Sequence, residues 1–219
     1  MSGIKEEMQS IREKTLHSKT WYLIAICVDA SMSMEGRKIE SVNQELMWFL
    51  NKINNDSFNR DSFEIAIITF GDSVRTIYGF SRIERMNMKD LNIEADGLES
   101  EMGKGISTML EMIDEETRKI KELGHSYYKP WLFIIGDGGA SDHHSCAKIS
   151  REVIERQKSG RLKVDCFSCE DQQEDSSLKL FTLDGSVKDL KELGNKEFDE
   201  EFSRASSSVS VAAIENGES

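Results

Sequence analysis

The chain has 219 residues, 31% of them charged, and a formal net charge of −12. That length gives one domain with short appendages and a full hydrophobic core, and the negative balance argues against nucleic acid as a partner, whose phosphates need a basic face. No apolar run approaches the roughly 18 residues of a membrane span, Met1-Ser2-Gly3-Ile4-Lys5-Glu6-Glu7 does not open a secretory signal, and four cysteines, with Cys27 inside an apolar run, do not make a disulfide framework. The expectation is a cytoplasmic chain with reduced thiols that meets neither membrane nor nucleic acid.

Residues 1–17 read as an N-terminal extension in which Ile4, Met8 and Ile11 recur at helical spacing among charges, residues 18–214 as a single domain and residues 215–219 as a disordered tail. Trp21 to Val28 is a continuous apolar run, the pattern of a strand buried on both faces. It stops at Asp29, and Ser31 and Ser33 follow. Beyond Gly36, the residues Ile39, Val42, Leu46, Phe49, Leu50 and Ile53 recur at three and four and predict a helix of about five turns. Phe63 to Phe70 is a second buried strand, and Gly71-Asp72 turns it into an antiparallel hairpin partner at Ser73 to Tyr78. Residues 81–102 read as polar and irregular, with a turn at Asp96-Gly97. Ile106, Met109, Leu110, Ile113 and Ile120 mark a helix from Gly103, stopped by Gly124.

Pro130 to Ile135 is a third apolar strand, broken by Gly136-Asp137-Gly138-Gly139. Asp142 is assigned as the cap of a helix running to about Gln157 and ended by Gly160. Leu162 to Phe167 is a fourth parallel strand, followed by a helical turn near Leu178 and a short strand near Val187. A last helix starts near Lys196, with Phe198, Phe202, Ala205, Val209 and Ala212 in one stripe. Trp21, Trp48 and Trp131 fall on these elements and are assigned to the core.

Strands alternating with helices predict an α/β fold: a Rossmann-like, mostly parallel sheet with one antiparallel edge strand and helices on both faces. In such sheets ligands bind beyond the carboxyl ends of the strands, where strand order reverses. Two apolar runs end at that edge in an aspartate, Asp29 and Asp137. Asp29, Ser31 and Ser33 are spaced by two, so extended backbone projects their oxygens to one side. One carboxylate with two hydroxyls suits Mg²⁺, which takes oxygen ligands near octahedral geometry at about 2.1 Å and keeps several waters.

Asp29-x-Ser31-x-Ser33 after one buried strand, with Gly136-Asp137-Gly138 after a later one, resembles the metal-ion-dependent adhesion site of von Willebrand factor A domains, and the resemblance covers most of the chain. The segment Phe198-Asp199-Glu200-Glu201-Phe202-Ser203-Arg204-Ala205-Ser206 is similar to the closing helix of the compact bacterial, tellurite-resistance-associated members. The resemblance implies a bound Mg²⁺, with Mn²⁺ or Ca²⁺ as alternatives, whose last position is left for an Asp or Glu of a protein partner. It implies Asp29, Ser31, Ser33, Ser100 and Asp137 as the metal residues. The three serines would donate hydroxyl oxygens, and the two aspartates would act largely through hydrogen bonds and bound water. Ser100 stands where the family has the threonine of Gly-Gly-Thr-x-Leu-Gly. Leu98 and Glu99 replace the two glycines, Gly136 replaces the usual threonine before the later aspartate, and Met32 replaces the glycine between the serines. The implied function is a non-enzymatic, Mg²⁺-dependent interaction module in a bacterial stress or signalling assembly.

The residues themselves leave other readings open. Asp29 and Ser33 could simply cap the first helix. An Mg²⁺-dependent phosphate-ester hydrolase would use Asp29 as nucleophile, although Ser31 stands where a second carboxylate is expected. A structural domain with an empty site is the third class. Cys166 and Cys169 have redox or zinc spacing, with His143, His144 and Cys146 elsewhere as potential partners, but they close a strand and are assigned as a partly buried thiol pair. Gly103-Lys104-Gly105 fails the phosphate-loop spacing.

Overall fold

The computed structural model describes residues 20–56, 61–170, 176–195 and 198–200. The amphipathic helix expected in the N-terminal extension, the tail and the last helix beyond 200 lie outside the described residues.

Seven strands form one sheet: β1 (Thr20–Asp29), β2 (Phe63–Phe70), β3 (Val74–Ser81), β4 (Ser126–Tyr127), β5 (Trp131–Gly136), β6 (Lys163–Ser168) and β7 (Lys188–Asp189), in the order β3-β2-β1-β5-β6-β7, with β4 pairing the start of β1. Every pairing is parallel except β2 with β3. The two-residue β4 has no apolar run and was not expected. Among the described residues three long helices cover the sheet: α1 (Arg37–Asn55), α2 (Met102–Glu122) and α3 (His143–Lys158).

The central strand explains the layering. Along β1, Tyr22, Ile24, Ile26 and Val28 pack with Val42, Leu46, Phe49, Leu50 and Ile53 of α1. Ala25 and Cys27, on the other face, pack with Met109, Leu110 and Ile113 of α2 and Ile149 and Val153 of α3. A strand covered on both sides has no solvent face to mark with polar residues, hence the unbroken apolar run. In the register, Asp29 lies opposite Phe70 and Val28 opposite Ile135, so β1, β2 and β5 end level. The chain leaves β1 to build β2 and β3 on one side and returns to build β5, β6 and β7 on the other. The strand order therefore reverses between β1 and β5, directly beneath Asp29 and Asp137.

Three expectations need correction. Residues 81–102 are not simply polar: two 3₁₀ turns, Ile83–Arg85 and Met88–Asp90, help bury Ile83, Met86, Leu91 and Ile93 against the α1 side. Their spacing follows neither helical nor strand period, which hides them. Asn43 pins this segment, its Nδ2 donating to the Ile93 carbonyl at 2.8 Å and its Oδ1 accepting from the Ile93 N–H at 2.8 Å. Trp48 is 51% exposed rather than core, unlike Trp21 and Trp131; it lies beside the apolar stripe of α1, with Lys52 Nζ 5.4 Å from its ring centre.

The third correction concerns Asp142. It occupies the N-cap position of α3 but its side chain caps none of that helix's backbone N–H groups, meeting α3 only where Oδ1 accepts the Cys146 thiol at 3.2 Å. Its carboxylate instead accepts the N–H groups of Gly103 and Lys104, each at 3.1 Å, and so caps the first turn of α2. The two helix starts touch: a Cβ on Gly103 would sit 2.5 Å from the Cys146 nitrogen, so only glycine fits.

Candidate metal-binding site

Three loops meet above the ends of β1 and β5. The backbone past Asp29 is stitched to its neighbours: Ala30 N–H donates to Phe70 O at 2.8 Å, Met32 N–H to Gly97 O at 2.5 Å, and Asp96 N–H to Ala30 O at 3.1 Å. This extended stretch turns at the 3₁₀ helix Met32–Met34 and enters α1 through Gly36, whose φ of 78° requires glycine. Neither Asp29 nor Ser33 caps α1, so the simplest alternative for those residues is removed.

Asp29 is fully buried. Its Oδ1 accepts the Ser31 N–H at 2.8 Å and its Oδ2 accepts the Ser100 hydroxyl at 3.0 Å. With both oxygens engaged and no exposed surface, the carboxylate is not presented to a substrate as a nucleophile would be. A Cβ on Gly136 would lie 2.9 Å from the Asp29 Cβ, which accounts for glycine there.

Ser31 and Ser33 bring their hydroxyl oxygens within 3.1 Å. Ser100 reaches the same place without the two glycines of the family loop, on backbone with no positive φ outside glycine among the described residues. External anchors hold it instead. Asp72 Oδ1 accepts the Glu99 N–H at 2.7 Å, Ser141 Oγ accepts the Ser100 N–H at 3.0 Å, and the Ser141 N–H donates to the Ser100 carbonyl at 2.9 Å. The Ser100 hydroxyl also faces the Gly139 carbonyl at 3.1 Å.

Asp137 sits in the loop after β5. Its Oδ1 accepts the Gly139 N–H at 3.1 Å, and its Oδ2 pairs with Lys38 Nζ at 3.0 Å. Lys38 also holds Glu170 Oε1 at 2.7 Å. Neither Lys38 nor Glu170 was legible from motif or period.

The structure thus links Asp29, Ser31, Ser33, Ser100 and Asp137 through successive polar contacts and adds Lys38. Their environments differ. Burial pushes the Asp29 carboxyl up to about 6, against the opposing pull of hydrogen bonds from Ser31 and Ser100, with the nearby Asp137 charge adding to the rise. Asp137 lies below the usual carboxylate range: burial raises it, but hydrogen bonds from Ser33, Lys38 and the Gly139 N–H, with the Lys38 charge, outweigh that.

The donor set fits a small divalent cation. Two cis ligands of an octahedron at about 2.1 Å are about 3.0 Å apart, close to the 3.1 Å between the Ser31 and Ser33 oxygens. Each hydroxyl also lies within reach of a carboxylate, Ser31 of Asp29 and Ser33 of Asp137, and hydrogen bonding from the serines pulls both carboxyls downward. Among the described residues no three His, Cys, Asp or Glu side chains cluster as metal ligands. The cysteines are free thiols, with Cys166 buried in β6, and burial pushes Cys169 up to about 12 with the Asp137 and Asp29 charges adding to it.

The model of the von Willebrand factor type A domain family matches residues 24–202. Three solved structures share the fold: the pilus adhesin SpaC of Lactobacillus rhamnosus (13% identity, 83% of this chain, TM-score 0.61), a von Willebrand factor type A protein of Catenulispora acidiphila (14%, 81%, 0.59) and the manganese-loaded TRAP protein of Plasmodium vivax (12%, 75%, 0.56). The chain spans 30%, 41% and 63% of their respective lengths. No match is found among curated proteins. Among the described residues no helix is long and apolar enough to cross a membrane.

Proposed function

Because the chain belongs to the von Willebrand factor type A domain family, a family of protein-interaction and adhesion modules, we propose that it is a non-enzymatic, Mg²⁺-dependent module that captures an acidic residue of a protein partner. Ser31, Ser33 and Ser100 hold the ion through hydroxyl oxygens, and Asp29 and Asp137 support it through hydrogen bonds and bound water. Mn²⁺ or Ca²⁺ can take the same donors, and the relative from Plasmodium is a manganese-loaded protein. Held with little direct carboxylate charge, the ion supplies an electropositive centre that attracts an anionic oxygen from outside. The partner therefore presents Asp or Glu. Beside the serines two apolar side chains are exposed, Met32 at 51% and Leu98 at 75%, on backbones joined through Gly97. An aliphatic neighbour of the partner's acidic residue has a surface to cover there. The likeness of residues 198–206 to the tellurite-resistance-associated group supports a cytoplasmic place in a bacterial stress or signalling assembly.

The observation that carries the proposal is the Ser31–Ser33 oxygen pair backed by the buried Asp29 carboxylate. The test is thermal denaturation in Mg²⁺ and in chelator. At one hundred times its dissociation constant a ligand adds about 2.7 kcal/mol, or about 5–11 °C for a chain of this size. Ser33→Ala should remove that gain. Identical midpoints in Mg²⁺, Mn²⁺ and chelator would refute the metal assignment, and Asp29-dependent turnover of a phosphate ester would refute the non-enzymatic one.

A further inference from the structure

We propose that Lys38 is a built-in cation of this site, its ammonium seated on Asp137 so as to set how tightly a divalent ion is held. The inference rests on the metal reading above. Lys38 starts in the first turn of α1, yet its Nζ lies 3.0 Å from Asp137 Oδ2, ninety-nine positions along the chain, and 2.7 Å from Glu170 Oε1 just past β6. Its side chain is 24% exposed and that of Asp137 9%, so the contact is sheltered from full solvent screening.

The contact terminates an unbroken chain of polar contacts. Ser100 and the Ser31 N–H donate to Asp29, the Ser31 hydroxyl meets that of Ser33, hydrogen bonding from Ser33 helps hold the Asp137 carboxyl down, and Asp137 meets Lys38, which is shared with Glu170. One of the two carboxylates available to draw in a divalent ion thus already faces a positive charge. An ammonium is a compact charge with three donors and no acceptor, so it cannot ligate a metal. Its effect on the ion is repulsion and competition for Asp137. Glu170 holds the same ammonium from the other side and fixes where that repulsion acts. A site set this way binds its ion weakly alone, and a partner carboxylate that completes the coordination raises ion and partner affinity together.

Lys38→Met keeps the stem and removes the charge. At the remove of one carboxylate, roughly 6 Å, deleting a unit charge beside a divalent ion strengthens binding about tenfold even with the screening of water. Arg37→Met removes the same charge from the exposed neighbouring position and serves as the control. Mg²⁺ and Mn²⁺ alone are titrated by calorimetry into each full-length protein, with melting in chelator as the fold check. The expected result is that Lys38→Met lowers the melting midpoint in chelator, through the loss of its two ion pairs, yet tightens ion binding about tenfold, while Arg37→Met changes binding less than threefold. Binding in Lys38→Met where the original chain shows none supports the proposal equally. Unchanged or weaker binding in Lys38→Met beside clear binding in the original overturns it and leaves the metal reading standing. No binding in any protein overturns both. If Lys38→Met does not fold, Lys38→Gln carries the same expectations.

Discussion

Replacing Asp29 by asparagine should stabilise the metal-free domain at neutral pH while removing its response to Mg²⁺. The Asp29 carboxyl titrates at about 6 in the folded chain against an ordinary 3.8, because burial disfavours its charge. The folded state therefore holds this proton more tightly than the unfolded state does. Between those two values stability falls as pH rises, and above about 6 the whole penalty is present. The gap amounts to at most about 3 kcal/mol. Asparagine keeps an acceptor for the Ser31 N–H, and its amide N–H can donate to Ser100 Oγ, which turns its own hydrogen to the Gly139 carbonyl 3.1 Å away. Allowing about 1 kcal/mol for the weaker hydrogen bonds, the net gain is about 2 kcal/mol, or about 4–8 °C for a chain of this size. Melting of both proteins in chelator at neutral pH and near pH 4 measures it. Near pH 4 the original chain carries Asp29 protonated and the advantage should vanish. Asp137 moves the opposite way, its contribution being present above the ordinary carboxylate value and lost as pH falls through its depressed one. It is common to both proteins and cancels in the difference. An asparagine variant no more stable at neutral pH, or equally favoured at both, would refute the reasoning.

Asp142→Ala should cost about 1 kcal/mol, because two N–H groups of α2 lose their acceptor, and the midpoint in chelator should drop by about 2–4 °C. Gly103→Ala should cost more, at least about 2 kcal/mol, since its Cβ would meet backbone of α3 rather than a side chain that can move; urea unfolding measures it. Trp131→Ala should lose about 3–5 kcal/mol, as Trp131 packs on Phe133 and Phe198 and donates from Nε1 to Asp165 at 2.9 Å. Trp48→Ala should lose under about 1 kcal/mol, its ring being half exposed. The same melting series separates the two tryptophans, and equal losses would contradict their different burial.

The fold was legible because its information is local. Buried parallel strands are runs, and covering helices repeat at three and four, so Trp21 to Val28 and Ile39 to Ile53 declared themselves. Asp29 and Asp137 were legible for the same reason, each ending a run at a topologically defined edge. Ser100 needed the family pattern. Its loop lacks the expected glycines, and what replaces them, Asp72 and Ser141 holding backbone N–H groups, comes from other loops. Asp142 was misread because an acidic residue before a helix announces a cap without saying which helix it caps. Trp48 was misplaced because a large apolar residue one step off a stripe looks like part of it.

What no local pattern could give is the electrostatic division between the two aspartates. They end neighbouring strands, yet Asp137 is compensated by Lys38 from α1 while Asp29 receives only neutral donors, from Ser31 and Ser100. Neutral hydrogen bonds offset burial incompletely, which is why the Asp29 carboxyl is pushed up while Asp137 is held down. The uncompensated negative charge is thereby concentrated beneath the serine oxygens rather than spread along the sheet edge. A cation at Ser31 and Ser33 would relieve a cost the fold already bears, and that cost is the one the asparagine variant measures.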